Sequence, residues 1–234
     1  MKIPRDNPKR TTLITLVFKL IMTLAFCTLV LSNSAFSQTK IKVVDQNNSP
    51  LSNAIIEFVI DQPSVDKPHT GSTYVMDQVN KEFSPEVLIV PVNNLVSFPN
   101  SDDIRHHVYS FSPAKTFELK LYAGKPKSPI AFDNTGVVVM GCNIHDSMVG
   151  YIYVTDKQQS YMTDEQGEVV LTQNNIVLNT QLQVWHAGNS KGVDQHTIFT
   201  INQAMLKQDE ITLMINVISP EPRDSFAELV VHEH

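Results

Sequence analysis

The apolar residues between Ile41 and Val217 come in short runs rich in Val, Ile, Leu, Phe and Tyr, cut apart by Asn, Asp, Pro, Gly and Ser. No stretch repeats its apolar residues at helical spacing over several turns, so helical classes are excluded and an all-β chain is predicted. β-branched and aromatic residues suit a pleated, half-buried surface, and the intervening residue types favour turns. Strands are predicted over 41–44, 55–60, 87–92, 95–98, 107–111, 117–122, 137–140 and 149–154, then over 169–172, 182–185, 197–201 and 211–217. The strands up to residue 155 suffice for one β-sandwich, and those beyond it for a second, smaller one or an extension of the first. Residues 64–80, rich in Pro, Asp and Gly, read as a long loop or a brief helical insertion, and 219–234 as a loosely ordered tail.

The N-terminus has the order of a secretory signal. Lys2, Arg5, Lys9, Arg10 and Lys19 are basic, residues 20–31 form an apolar run too short to span a bilayer, and Ala35-Phe36-Ser37 offers small residues for cleavage. A signal peptide over 1–37 and export to the periplasm are predicted, with no stable membrane insertion after cleavage. An uncleaved anchor is the alternative, because 12–31 is nearly long enough. Removing 1–37 takes five of 18 basic and one of 24 acidic residues, leaving 13 against 23 and a net charge of −10. Nucleic acid and anionic membranes are therefore poor partners, whereas a basic patch on another protein would be attracted.

Cleavage also removes Cys27, one of the two cysteines. Cys142 is then an unpaired thiol in an oxidising compartment, which must be buried, bridged to another chain or liganded. Its neighbours favour the last. Gly141-Cys142-Asn143-Ile144-His145-Asp146-Ser147-Met148 places a thiolate, an imidazole and a thioether within one short loop. Soft sulfur with imidazole suits copper, and one Cys, two His and a long axial Met form an electron-transfer centre. The missing imidazole must come from another strand. Upstream, His106-His107 stands where the polar turn Asn100-Ser101-Asp102-Asp103 enters a predicted strand, and either histidine could supply it.

Three segments, Phe98-Pro99-Asn100, His106-His107-Val108 and Cys142 to Met148, resemble the cupredoxins, the plastocyanin and amicyanin family of blue-copper proteins. The resemblance implies a Greek-key β-sandwich over 38–155 and one type 1 copper held by His106, Cys142, His145 and Met148, with His107 the alternative to His106. It places Asn100 and His107 beside the site, Asn100 steadying it by hydrogen bonds. Two departures stand out: Ile144 occupies the place where the family commonly has Pro, and His107 the place of its usual Asn.

Residues 86–155, with Phe117-Glu118-Leu119, Phe132-Asp133 and the stretch from Gly136 to Gly150, are similar to exported bacterial cupredoxin-like proteins labelled methylamine utilization proteins. Residues 156–218 resemble a carboxypeptidase regulatory-like, transthyretin-type sandwich in Thr163-Asp164-Glu165-Gln166-Gly167 and Leu182-Gln183-Val184-Trp185. Val43-Val44-Asp45 and Pro50-Leu51 resemble the first hairpin of the same module, which leaves the assignment of the N-terminal strands open. The resemblance implies a periplasmic carrier of single electrons, not an enzyme, whose partner is a c-type cytochrome or a quinoprotein dehydrogenase. The alternative is a binding, structural or copper-holding module without fast electron transfer. No phosphate loop, His-Glu-x-x-His helix or serine nucleophile elbow is present, so hydrolase and nucleotide-binding readings fall away.

Overall fold

The computed structural model describes residues 39–59, 72–126, 128–157, 159–171 and 176–218. The signal-peptide reading of 1–37 and the tail reading of 219–234 lie outside them. The described residues are all-β, as the texture of the sequence predicts, with one short 3-10 turn at Met205–Lys207. None of their helices is long and apolar enough to cross a membrane.

In chain order the strands are β1 (Thr39–Val44), β2 (Ile55–Phe58), β3 (Thr73–Val75), β4 (Asp77–Val79), β5 (Glu82–Ser84) and β6 (Val87–Pro91). Next come β7 (Asn94–Ser97), β8 (His106–Ser112), β9 (Lys115–Tyr122), β10 (Ile130–Phe132), β11 (Gly136–Cys142) and β12 (His145–Thr155). The last are β13 (Ser160–Met162), β14 (Glu168–Leu171), β15 (Gln181–Trp185), β16 (Thr197–Thr200) and β17 (Glu210–Met214). The loop or helical insertion expected over 64–80 is corrected where it is described: Thr73–Val75 pairs in parallel with β7, and Asp77–Val79 forms a hairpin with β5. Those strands are too short to show an alternating pattern.

A five-stranded sheet in the order β6-β12-β11-β8-β9 faces the sheet β10-β7-β3 and the β4-β5 hairpin. Between them lies one core, with Phe98, Val108, Phe132, Val138, Met140, Cys142, Met148 and Ile152 buried in it. A second core, built on Ile41, Val43, Ile56, Leu171, Leu182, Val184, Ile211 and Leu213, lies between sheets β14-β1-β17 and β13-β2-β15-β16.

Strand pairing therefore does not divide the chain at residue 155. β1 pairs with β14 and β17, and β2 with β13 and β15, so residues 39–58 build their sheets with strands from 160 onwards. The physical reason is that β1 and β2 are needed as the inner strands of both sheets of the second core. The strands from 73 to 155 sit between those two halves in sequence.

The cores meet at a seam. Ile55 and Trp185 from β2 and β15 pack with Val87, Val137 and Tyr153 from β6, β11 and β12. Alternation sends Ile56 and Val138 into the separate cores and Ile55 and Val137 into the seam. Strands buried on both faces read as continuous apolar runs, which is why Val137-Val138-Val139-Met140 and Ile55-Ile56 do not alternate with polar residues.

Candidate metal centre

His106 opens β8 and Cys142 closes β11, adjacent strands of the five-stranded sheet, while His145 opens β12 next in the same sheet. At each of these positions the ladder is irregular. Between β8 and β9 the register shifts between His106 and Val108. Between β11 and β12 the pairs Gly141–Val149 and Cys142–His145 leave Asp146, Ser147 and Met148 bulged out of the ladder. Bulges re-aim side chains and are common beside functional sites. Alternation through Val138 and Met140, and through Ile152 and Gly150, places Cys142 and Met148 on the same inner face, and the irregularity brings His145 rather than Met148 opposite Cys142. Cys142 and Met148 both belong to the core beneath the sheet, at 3% and 1% exposure.

The donor atoms of His106, Cys142 and His145 all lie within 4.8 Å of one another. Cys142 Sγ is 3.5 Å from His106 Nδ1 and 3.9 Å from His145 Nδ1. The two rings stand 5.1 Å apart by centroid. His106 is fully buried and His145 partly exposed, so the cluster has an inner wall and one edge toward solvent. Ile144, beside that edge, is 46% exposed. Burial, helped by His106 and Lys81 and opposed by Asp102, holds the His145 pKa below the ordinary imidazole value. A neutral ring with a free lone pair is the form that ligates a metal.

Of the two candidate histidines, His106 is the one brought to Cys142 and His145. His107 points to the other face of the sheet, where its Nε2 lies 2.9 Å from Glu118 Oε1 and its ring packs edge-on against Tyr109. What His107 gives the site is its main-chain carbonyl, which accepts from the Asn143 N–H at 3.1 Å and ties β8 to the loop after Cys142.

Asn100 makes its hydrogen bonds in the turn that carries Asp102. Its Nδ2 donates to the carbonyls of Ile104 and Tyr122, both at 2.9 Å, and its Oδ1 accepts from the Asp102 N–H at 3.0 Å. It shapes the turn ahead of His106 and makes no hydrogen bond to the sulfur. The residue missed from sequence is Asp102. Its Oδ2 lies 2.7 Å from His106 Nε2. A carboxylate cannot donate, so Nε2 carries a proton, and in the neutral ring it is Nδ1, on the Cys142 side, that keeps its lone pair. The only sequence signal was an Asp four residues before a candidate ligand, in a turn already full of Asp and Asn.

The donor set fits copper: one thiolate and two imidazole nitrogens converge, a thioether is buried in the same core, and a carboxylate fixes one ring from behind. No sequence family and no curated protein matches the chain. Among solved structures similar to it, a purple cupredoxin from Nitrosopumilus maritimus is 22% identical, covering 36% of this chain and 99% of that one at a TM-score of 0.31. A point mutant of amicyanin in its Cu(I) form is 17% identical and covers 43% of this chain and 98% of its own, at 0.32. A copper-containing nitrite reductase from Thermus scotoductus is 23% identical over 48% of this chain but 28% of its own, at 0.34.

Proposed function

We propose that the chain is a periplasmic blue-copper protein of cupredoxin type that carries single electrons between redox partners. The observation that carries this reading is the convergence of the His106, Cys142 and His145 donor atoms within 4.8 Å, at the meeting of three neighbouring strands. Copper bound there would supply a one-electron change of charge. The protein's own residues supply the rest. His106, Cys142 and His145 would hold the metal, and Met148, buried in the same core, would complete the set.

Small geometric change between redox states demands a stiff frame. Two of the three donors lie on strands paired to each other, and the third, His106, is braced by Asp102. The partly exposed His145 edge, with Ile144 beside it, is the proposed route for electrons. The net charge of −10 on residues 38–234 would steer a partner with a basic patch, such as a c-type cytochrome or a quinoprotein dehydrogenase.

The test is to add copper(II) to the purified protein and to Cys142→Ser, recording visible and electron paramagnetic spectra. We expect intense visible thiolate-to-copper absorption in the first and none in the second. A colourless protein, or a colour that survives the substitution, sinks the reading. A coloured protein that a reduced c-type cytochrome cannot reduce is a copper holder without fast transfer.

A further inference from the structure

Asp102 is hydrogen-bonded to a ring of the candidate centre, and it is itself held by main-chain donors. Asn80 N–H donates to its Oδ1 at 2.6 Å, and Lys81 N–H to its Oδ2 at 2.9 Å. The His106 Nε2–H shares Oδ2 at 2.7 Å. Asn80 and Lys81 are the turn of the β4-β5 hairpin, both at positive φ (55° and 63°), as a two-residue hairpin turn requires. Asn100 fixes the Asp102 main chain, and Asn100 itself pairs with Gly124 through both main-chain groups, at 2.7 and 3.2 Å. A hairpin turn and a buried amide thus clamp one carboxylate against one imidazole.

The clamp aims three N–H donors at this carboxylate, an arrangement that suits its charged form. A carboxylate on the far nitrogen of a ligating imidazole fixes its tautomer and raises its basicity. A more basic ligand, with a negative charge behind it, favours a doubly charged metal over a singly charged one.

We propose that Asp102 is the positioning residue of the centre, holding His106 as the Nε2–H tautomer and biasing bound copper toward its oxidised state. The assignment rests on the copper reading above. In the step concerned, one electron passes from a reduced mediator to copper(II), which becomes copper(I). The Nε2–H to Oδ2 bond stays formed, and no proton leaves Asp102 or His106.

The experiment compares the purified protein with Asp102→Asn and Asp102→Glu by spectrally monitored redox titration, and by ¹⁵N-resolved imidazole spectra of the metal-free forms. In Asp102→Asn the copper(II)-to-copper(I) ratio at fixed potential falls at least tenfold, a rise of about 59 mV for one electron. Asp102→Glu, which keeps the charge, recovers at least half of that change. Without metal, the unsubstituted protein shows an exchange-protected His106 Nε2–H that Asp102→Asn loses. An unchanged potential in a folded, coloured Asp102→Asn overturns the proposal, as does an Nδ1–H tautomer in the unsubstituted metal-free protein. An unsubstituted protein that takes up no copper overturns the copper reading instead, and the tautomer then decides the positioning role. Should Asp102→Asn fail to fold by circular dichroism, Asp102→Ser removes the same charge and is held to the same outcomes.

Discussion

His106 and His107 are adjacent in sequence and opposite in place. Alternation along a strand makes that separation certain, but not which of the two faces the core. The answer depends on the register of β8 against β9 and β11, set by pairings of residues distant in sequence. Local reading therefore reached the pair and stopped. We expect His106→Ala to weaken copper binding by tenfold or more, since it removes a buried donor 3.5 Å from Cys142 Sγ and leaves Asp102 without its partner. His107→Ala, which loses contacts on the outer face with Glu118 and Tyr109, should bind within about threefold of the unsubstituted protein, an effect on the order of a surface ion pair. Competition titration against a copper chelator compares them, and equal losses would remove His106 from its assigned role. Asp102 was illegible for a different reason. An Asp in a turn has an ordinary local use, and its reach to His106 depends on a clamp from the β4-β5 hairpin, two strands too short to be seen in the sequence.

The strands that could be read are those buried on a face or on both, where composition follows environment. β8, β11, β12 and β15 were found from β-branched and aromatic runs, although their ends shifted by a few residues. β3, β4, β5, β10 and β13 have three residues each and carry no pattern. Yet one of these short strands supports the metal centre closely. On β12, Gly150 lies under Phe83 of β5, and a Cβ placed there would stand 2.8 Å from the Phe83 Cβ and 2.9 Å from its ring. Phe83 belongs to the core that also holds Cys142 and Met148. Gly150→Ala must push β5 away from β12, two residues along the same inner face from the buried Met148. Overpacking of this kind costs about 1–3 kcal/mol. We expect the urea midpoint of the metal-free protein to fall accordingly. A midpoint unchanged in Gly150→Ala would show that β5 yields freely.

The join between the two cores carries a polar network that no motif announces. Glu57, buried on β2, accepts from Tyr153 Oη at 2.9 Å and Gln183 Nε2 at 2.7 Å through Oε2, and from Thr155 and Ser160 through Oε1. Burial, then the nearby Glu57, pushes the Tyr153 phenol far above its ordinary pKa, so it keeps the proton it donates. That proton commits Tyr153 as donor to Glu57, so the His196 Nε2, 2.8 Å away, must donate to the phenol oxygen. Tyr153 and Thr155 belong to β12, the strand that begins at His145, whereas Glu57, Ser160 and Gln183 belong to the sheet of the second core. A single Glu in the run Ile55-Ile56-Glu57-Phe58 is the only trace of this network in the sequence, and which core the N-terminal strands would join stayed open there. Glu57→Ala leaves four donors without their shared acceptor, and each buried unpaired group costs about 1–3 kcal/mol, so a loss on the order of 3 kcal/mol or more is expected. Trp185, the sole tryptophan, sits in the seam and reports its opening by fluorescence, while the colour of copper-loaded protein reports the first core. In the unsubstituted protein both signals should be lost together in urea, because the seam couples the cores. In Glu57→Ala the tryptophan signal should move to lower urea ahead of the colour. If both signals still coincide at the unsubstituted midpoint, the network does not hold the cores together, and the apolar contacts of Ile55, Val87, Val137 and Trp185 suffice.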